Sequence, residues 1–151
     1  MSDDTTELQG AGIITVSWIG TGVYAVTALI ATVFPDGFGV AATIVSLVLF
    51  AIGCVVFFWA YFIAVQRSRT DLIGIGGLYF LQGTAPRAVQ LRLLGSLVVQ
   101  VVVAVVTASI RLYSALAFGF LVPVFGLGMC GLWAARHGTF EPRPPPGSAP
   151  E

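Results

Sequence analysis

FGVAATIVSLVLFAIGCVVFFWAYFIAVQ, residues 38–66, contains no Asp, Glu, Lys, Arg or His. As a helix rising 1.5 Å per residue it would be about 43 Å long, which exceeds the roughly 30 Å of a bilayer's hydrocarbon core, so it must tilt or protrude. Three more stretches free of those residues, roughly 11–34, 93–110 and 112–135, flank it. With the start of the third helix included, the pattern predicts spans at about 11–34, 38–66, 88–110 and 112–135. The expected fold is an all-α membrane protein: a four-transmembrane-helix bundle of two antiparallel hairpins, with a short interfacial segment at 71–83 between them.

Composition agrees with this class. The chain has 151 residues, 57% hydrophobic and only 9% charged, against about a quarter charged in soluble domains. Four spans consume about 80–100 positions, which leaves one domain at 11–135, a polar tail at 1–10 and a proline-rich, flexible tail at 136–151. All seven basic residues are Arg, and neither Lys nor Asn occurs. Avoidance of AA-starting codons suits a GC-rich bacterial genome. The start MSDDTTELQG is acidic and lacks the basic region of a secretory signal, so the first span is expected to be retained. Formal charge is zero, with no basic patch of the kind that binds nucleic acid.

Loops fix the expected topology. Phe34-Pro35-Asp36-Gly37 reads as a turn, with Pro removing a donor, Asp capping and Gly permitting positive φ. The only long loop holds the glycine-rich LIGIGGLYFLQG, too short to cross and therefore interfacial or re-entrant, with Thr84-Ala85-Pro86 as the start signal for the third helix. The last two spans are separated by a turn around Arg111 and Tyr113. Six of the seven Arg fall on the side of the termini and central loop, so the positive-inside rule places both termini in the cytoplasm of a bacterial inner membrane. Trp18, Trp59 and Trp133 then fall toward that face, where amphipathic rings favour the headgroup layer.

Within the spans the candidate residues concern packing more than chemistry. Ala42, Ser46, Gly53, Ala60 and Ala64 form one small-residue stripe, and Ala115, Gly119, Gly126, Cys130 and Ala134 another. Such stripes permit close backbone approach, either within the chain or at a seam between subunits. Gln100 shares a face with Ser96, Ala104 and Thr107, and is expected to face protein. With Pro123, whose break between Gly119 and Gly126 can free a carbonyl, it could form a polar track or merely brace helices. Cys54 and Cys130 lie at different depths and lack CxxC spacing, so no disulfide is expected. His137 cannot supply a metal or haem ligand set alone, and GIGG lacks the spacing of a nucleotide-binding loop. Neither catalytic residues nor a cofactor or metal site is expected. Arg67, Arg69, Arg87 and Arg92 could contact anionic lipid headgroups, and Pro142-Arg143-Pro144-Pro145 suits an extended polyproline ligand.

The layout, with its ending GLGMCGLWAARHGTFEPR, resembles small four-span integral membrane proteins of high-GC Gram-positive (actinobacterial-type) bacteria. That resemblance implies membrane localisation and carries no catalytic residue. Four-span multidrug exporters are similar in size but use a buried glutamate in the first span, which Ala11–Phe34 lacks. The expectation is a non-enzymatic accessory or scaffolding subunit of an inner-membrane assembly, or a homo-oligomer, whose partners are the lipid bilayer and other membrane subunits or itself. The alternative is a facilitator of uncharged or lipidic solutes.

Overall fold

The computed structural model describes residues 10–110 and 114–144. In chain order the elements are α1 (Ala11–Val33), α2 (Pro35–Arg67), β1 (Asp71–Leu72), the short α3 (Ile75–Tyr79), α4 (Arg87–Ile110), a 3-10 helix (Ala115–Leu121) that leads into α5 (Pro123–His137), and β2 (Glu141–Pro142). Four helical segments, α1, α2, α4 and Leu116–His137, are long and apolar enough to cross a membrane. Residues 1–9, the predicted turn at Arg111 and Tyr113, and the end of the tail at 145–151 lie outside the described residues.

Residues 98–106 of α4 are mostly valine, a composition that favours strands in water. As a helix the same residues pair their backbone groups within the segment, which an apolar solvent demands. The hydroxyls follow the same logic. Thr15, Thr27, Thr32, Thr43, Ser46, Thr107 and Ser109 each donate to a carbonyl four residues earlier at 2.6–2.9 Å, so they are satisfied without leaving their helix.

The first hairpin is tighter than predicted. Only Phe34 separates α1 from α2; Pro35 opens α2 at its first turn, where a missing N–H costs nothing. Asp36 makes no capping bond and sits in that first turn, and Gly37 is helical instead of left-handed. Ala31 clusters with Ala42, and Gly20 lies against Leu49, so the two helices run antiparallel.

The other contacts organise around the fourth segment. More than half of its apolar window is buried, against a third or less for the other three. Gly53, Ala60 and Arg67 of α2 meet Phe125, Gly131 and Ala135 of α5, so these helices are parallel. Ser17 and Thr21 of α1 meet Ser96 and Gln100 of α4, a second parallel pair. Gly126 of α5 lies against Gln100 and Leu97, and Gly119 against the Tyr24 hydroxyl. Both predicted small-residue stripes thus spend their buried positions on this chain's own helices. A Cβ at Gly53 would lie 2.6 Å from the Phe125 backbone, and one at Gly128 would lie 2.9 Å from Gly53 O.

Pro123 marks a change of helix type. The carbonyl that a proline would orphan, Gly119 O, accepts the Val122 N–H at 3.1 Å in the 3-10 pattern, and α5 begins at Pro123. The freed acceptor is therefore satisfied inside the segment.

The tail departs most from the expectation of flexibility. Residues 138–144 are extended but docked on the central loop. Asp71 pairs with Pro142 and Leu72 with Glu141 in a short antiparallel ladder, Thr139 N donates to Thr84 O at 3.0 Å, and Arg143 N donates to Thr70 O at 2.8 Å. Trp133 is also a correction: it is fully buried, with Gly10 and His137 against it, whereas Trp18 and Trp59 are exposed. Trp133 therefore belongs to the core and not to an interfacial belt.

Candidate functional site

Three polar or concave features stand out from the apolar packing, and the first is the seam between α1 and α4. Ser17 and Ser96 hydroxyls are 2.7 Å apart, Gln100 Nε2 donates to Thr21 Oγ1 at 2.7 Å, and Thr21 passes its own proton to Ser17 O at 2.8 Å. All four residues are buried. Gln100 Oε1 accepts no hydrogen bond among the described residues and points toward Gly126, where a Cβ would come within 2.8 Å of it. A glycine there lets a Cα–H face the stranded oxygen, a weak but favourable contact. Pro123 is one turn away along the fourth segment, but the interactions of Gln100 run to Thr21.

This seam joins α1 to α4 through side-chain hydrogen bonds. A double-mutant cycle of Thr21→Val and Gln100→Leu, read by thermal unfolding, should return a coupling of about 0.6–1.7 kcal/mol, the range for interhelical hydrogen bonds in lipid. A coupling of zero would mean that the two side chains are satisfied independently.

The second feature is Arg67, at the C-terminal end of α2. Its guanidinium donates to Asp71 Oδ2 from Nε and Nη2 at 3.2 and 3.1 Å, to Ala135 O from Nη1 at 2.9 Å and to Gly138 O from Nη2 at 3.2 Å. The Phe140 ring lies below it at 5.3 Å. One side chain thus caps the end of α5, neutralises the loop's carboxylate and seats the tail. The sequence pattern offers Arg67 together with Arg69, Arg87 and Arg92 as a headgroup contact, but its donors are engaged within the chain. The other three are exposed, and no interaction joins the four among the described residues.

The third feature was invisible as a site in the sequence. A lateral cavity of about 480 Å³ opens between the C-terminal half of α2 and the 73–80 segment. Its walls include Phe57 and Tyr61 of α2, Ser68 at the C-cap of that helix, Leu78 of α3 and Leu127 of α5, with no Asp, Glu, Lys, Arg or His. Tyr79 braces the far wall: its ring stacks on Phe57 at 4.3 Å and 11°, its hydroxyl donates to Phe57 O at 3.2 Å, and Gly131 leaves room for its edge. The glycines of GIGG are what allow this short helix to fold back. Gly77 lies against Thr84 and Phe140, Thr84 Oγ1 donates to Gly77 O at 2.7 Å, and buried Leu81 takes the left-handed conformation with φ 57°.

A smaller cavity of about 270 Å³ lies on the other side of this segment, bounded by Gly77, Gln82, Thr84, Thr139 and Glu141. Gly74 borders both cavities. Cys54 and Cys130 are free thiols, and no cluster of three His, Cys, Asp or Glu occurs among the described residues.

No protein-family model, curated protein or solved structure matches this chain.

Proposed function

We propose that this is a non-enzymatic, integral membrane protein whose four spans form a bundle of two hairpins, with both termini cytoplasmic, and that it serves as an accessory protein that binds a lipidic molecule. Membrane embedding is supported by an inverted polarity. The exposed faces of α1, α2 and α4 carry Val, Ile, Leu, Phe and Trp, while Ser17, Thr21, Ser46, Ser96, Gln100 and Thr107 are buried. Water would penalise that distribution heavily, and lipid favours it.

The single observation that carries the lipidic reading is the lateral cavity, which has the size of a small-molecule site and a charge-free, aromatic lining. It displaces the track through Gln100 and Pro123 in favour of the glycine-rich loop. Contact with other subunits would use the outward apolar faces, because the small-residue stripes are already occupied within the chain.

Two measurements test this. Reporter fusions at positions 10 and 144 should both report the cytoplasm, whereas opposite sides would overturn the topology. Extraction with surrounding lipid into polymer-bounded discs, followed by lipid analysis, should recover a lipidic species enriched at least several-fold over bulk membrane. Val65 is exposed and lines the cavity, so Val65→Trp should abolish the enrichment without changing thermal stability. Equal lipid composition in the two samples would sink the reading.

A further inference from the structure

We infer that the two cavities on either side of Gly74 form one amphipathic site, which takes a single-chain or two-chain lipid with an uncharged, hydroxyl-bearing head and excludes anionic heads. The inference rests on the lipid-binding reading above and adds to it the chemistry of the head. Three observations carry it.

The first is depth. The large cavity follows α2 from Ser68 back to Phe57, which at 1.5 Å per residue is about 16 Å, or about half of a 30 Å hydrocarbon core. An alkyl chain lying in it would occupy one leaflet. The second is continuity. Gly74 borders both cavities, and a Cβ built on it would meet no atom within 4 Å. Gly74 is thus the one residue common to both linings, and nothing crowds the position a side chain there would take. A side chain at that position would occupy the border between the two cavities.

The third is the polarity of the small cavity. Its hydroxyl protons are already committed: Thr84 Oγ1 donates to Gly77 O at 2.7 Å and Thr139 Oγ1 to Thr84 O at 3.5 Å. What remains is the Gln82 amide, which can both donate and accept, the two threonine oxygens as acceptors, and Glu141, the one ionisable residue of a lining that holds no Lys or Arg. A phosphate or carboxylate head would bring like charge against Glu141, with no Lys or Arg in the lining to offset it. Hydroxyl groups of a glycerol or sugar would donate to it.

The test uses the full-length protein in phosphatidylcholine nanodiscs and three photoreactive probes that share one alkyl chain: a monoacylglycerol, the corresponding fatty acid at pH 8, and the headless hydrocarbon. Crosslinks mapped by mass spectrometry should place all three chains between Phe57 and Leu78, with the monoacylglycerol labelling at least fivefold more than the fatty acid. Glu141→Gln removes the repulsion and should bring the fatty acid to within about twofold of the monoacylglycerol. Gly74→Trp should remove the preference for the monoacylglycerol over the hydrocarbon. Should that variant not fold, Glu141→Gln decides alone.

Equal labelling by monoacylglycerol and fatty acid in the wild type, or no response to Glu141→Gln, overturns the inference while leaving the lipid cavity intact. Absence of cavity crosslinks from every probe overturns the lipid-binding reading itself.

Discussion

Gly53→Leu is expected to destabilise the folded chain by about 3 kcal/mol or more, at the upper end of the cost of overpacking. The neighbours that a side chain would strike are not side chains. They are the Phe125 Cα and N at 2.6 Å and the Val124 carbonyl carbon at 2.9 Å, all part of a helix backbone that cannot rotate away. Relief requires α2 and α5 to separate, and that would also loosen the contact of Gly128 with Gly53 O. Gly39→Leu is the matched control, since a Cβ there meets nothing within 4 Å. Thermal unfolding in mild detergent should put the Gly39 variant near the wild type and the Gly53 variant far below it. Indistinguishable melting of the two would show that the α2–α5 contact is looser than the distances above.

Arg67→Ala should release the tail. It removes four donated hydrogen bonds and strands Ala135 O, Gly138 O and the Asp71 carboxylate. Hydrogen bonds involving a charged group contribute about 1.5–3 kcal/mol. Because the Arg67 side chain is 32% exposed, solvent screening keeps the total near about 2 kcal/mol. That corresponds to roughly 30-fold faster hydrogen exchange at the Thr139 and Arg143 amides, which bond to Thr84 O and Thr70 O. Arg67→Lys should recover only part of the protection, because an ammonium cannot reach three acceptors in a planar fork. Unchanged exchange in Arg67→Ala would mean that the short β ladder holds the tail unaided.

Much of this architecture is legible in the sequence because it depends on local properties. Long charge-free runs specify helices wherever the surroundings are apolar, and their bounds are reproduced to within a few residues at α1, α2 and α4. Gln100, Ser96, Ala104 and Thr107 share a buried face because helical periodicity alone puts them there. The hairpin at Phe34 was legible as a boundary but not in form: Pro35 is equally at home in a turn and at the first position of a helix, and the latter prevails.

What the sequence hides depends on residues far apart in the chain. Nothing local to RSRTD distinguishes an arginine that touches headgroups from one that reaches carbonyls about 70 positions later. Proline and glycine content made 138–144 look unstructured, yet Thr70 O and Thr84 O offer it a ladder that only the fold reveals. Trp133 followed the same rule in reverse, since an interfacial tryptophan and a core tryptophan look identical until Gly10 is found beside it. The lateral cavity belongs to this class too, being a space between elements and not a property of any one of them.

The central position of the fourth segment has a consequence for biogenesis. Ribosomes deliver α1, α2 and α4 first, while α5, the principal packing partner of α2, is still unmade. During that interval the stripe around Gly53 and the face of Gln100 turned toward Gly126 lack the surface that covers them in the finished fold. The centre therefore closes only after the fourth segment is made, and a chain interrupted before Pro123 should be recognised by quality-control proteases as incompletely folded.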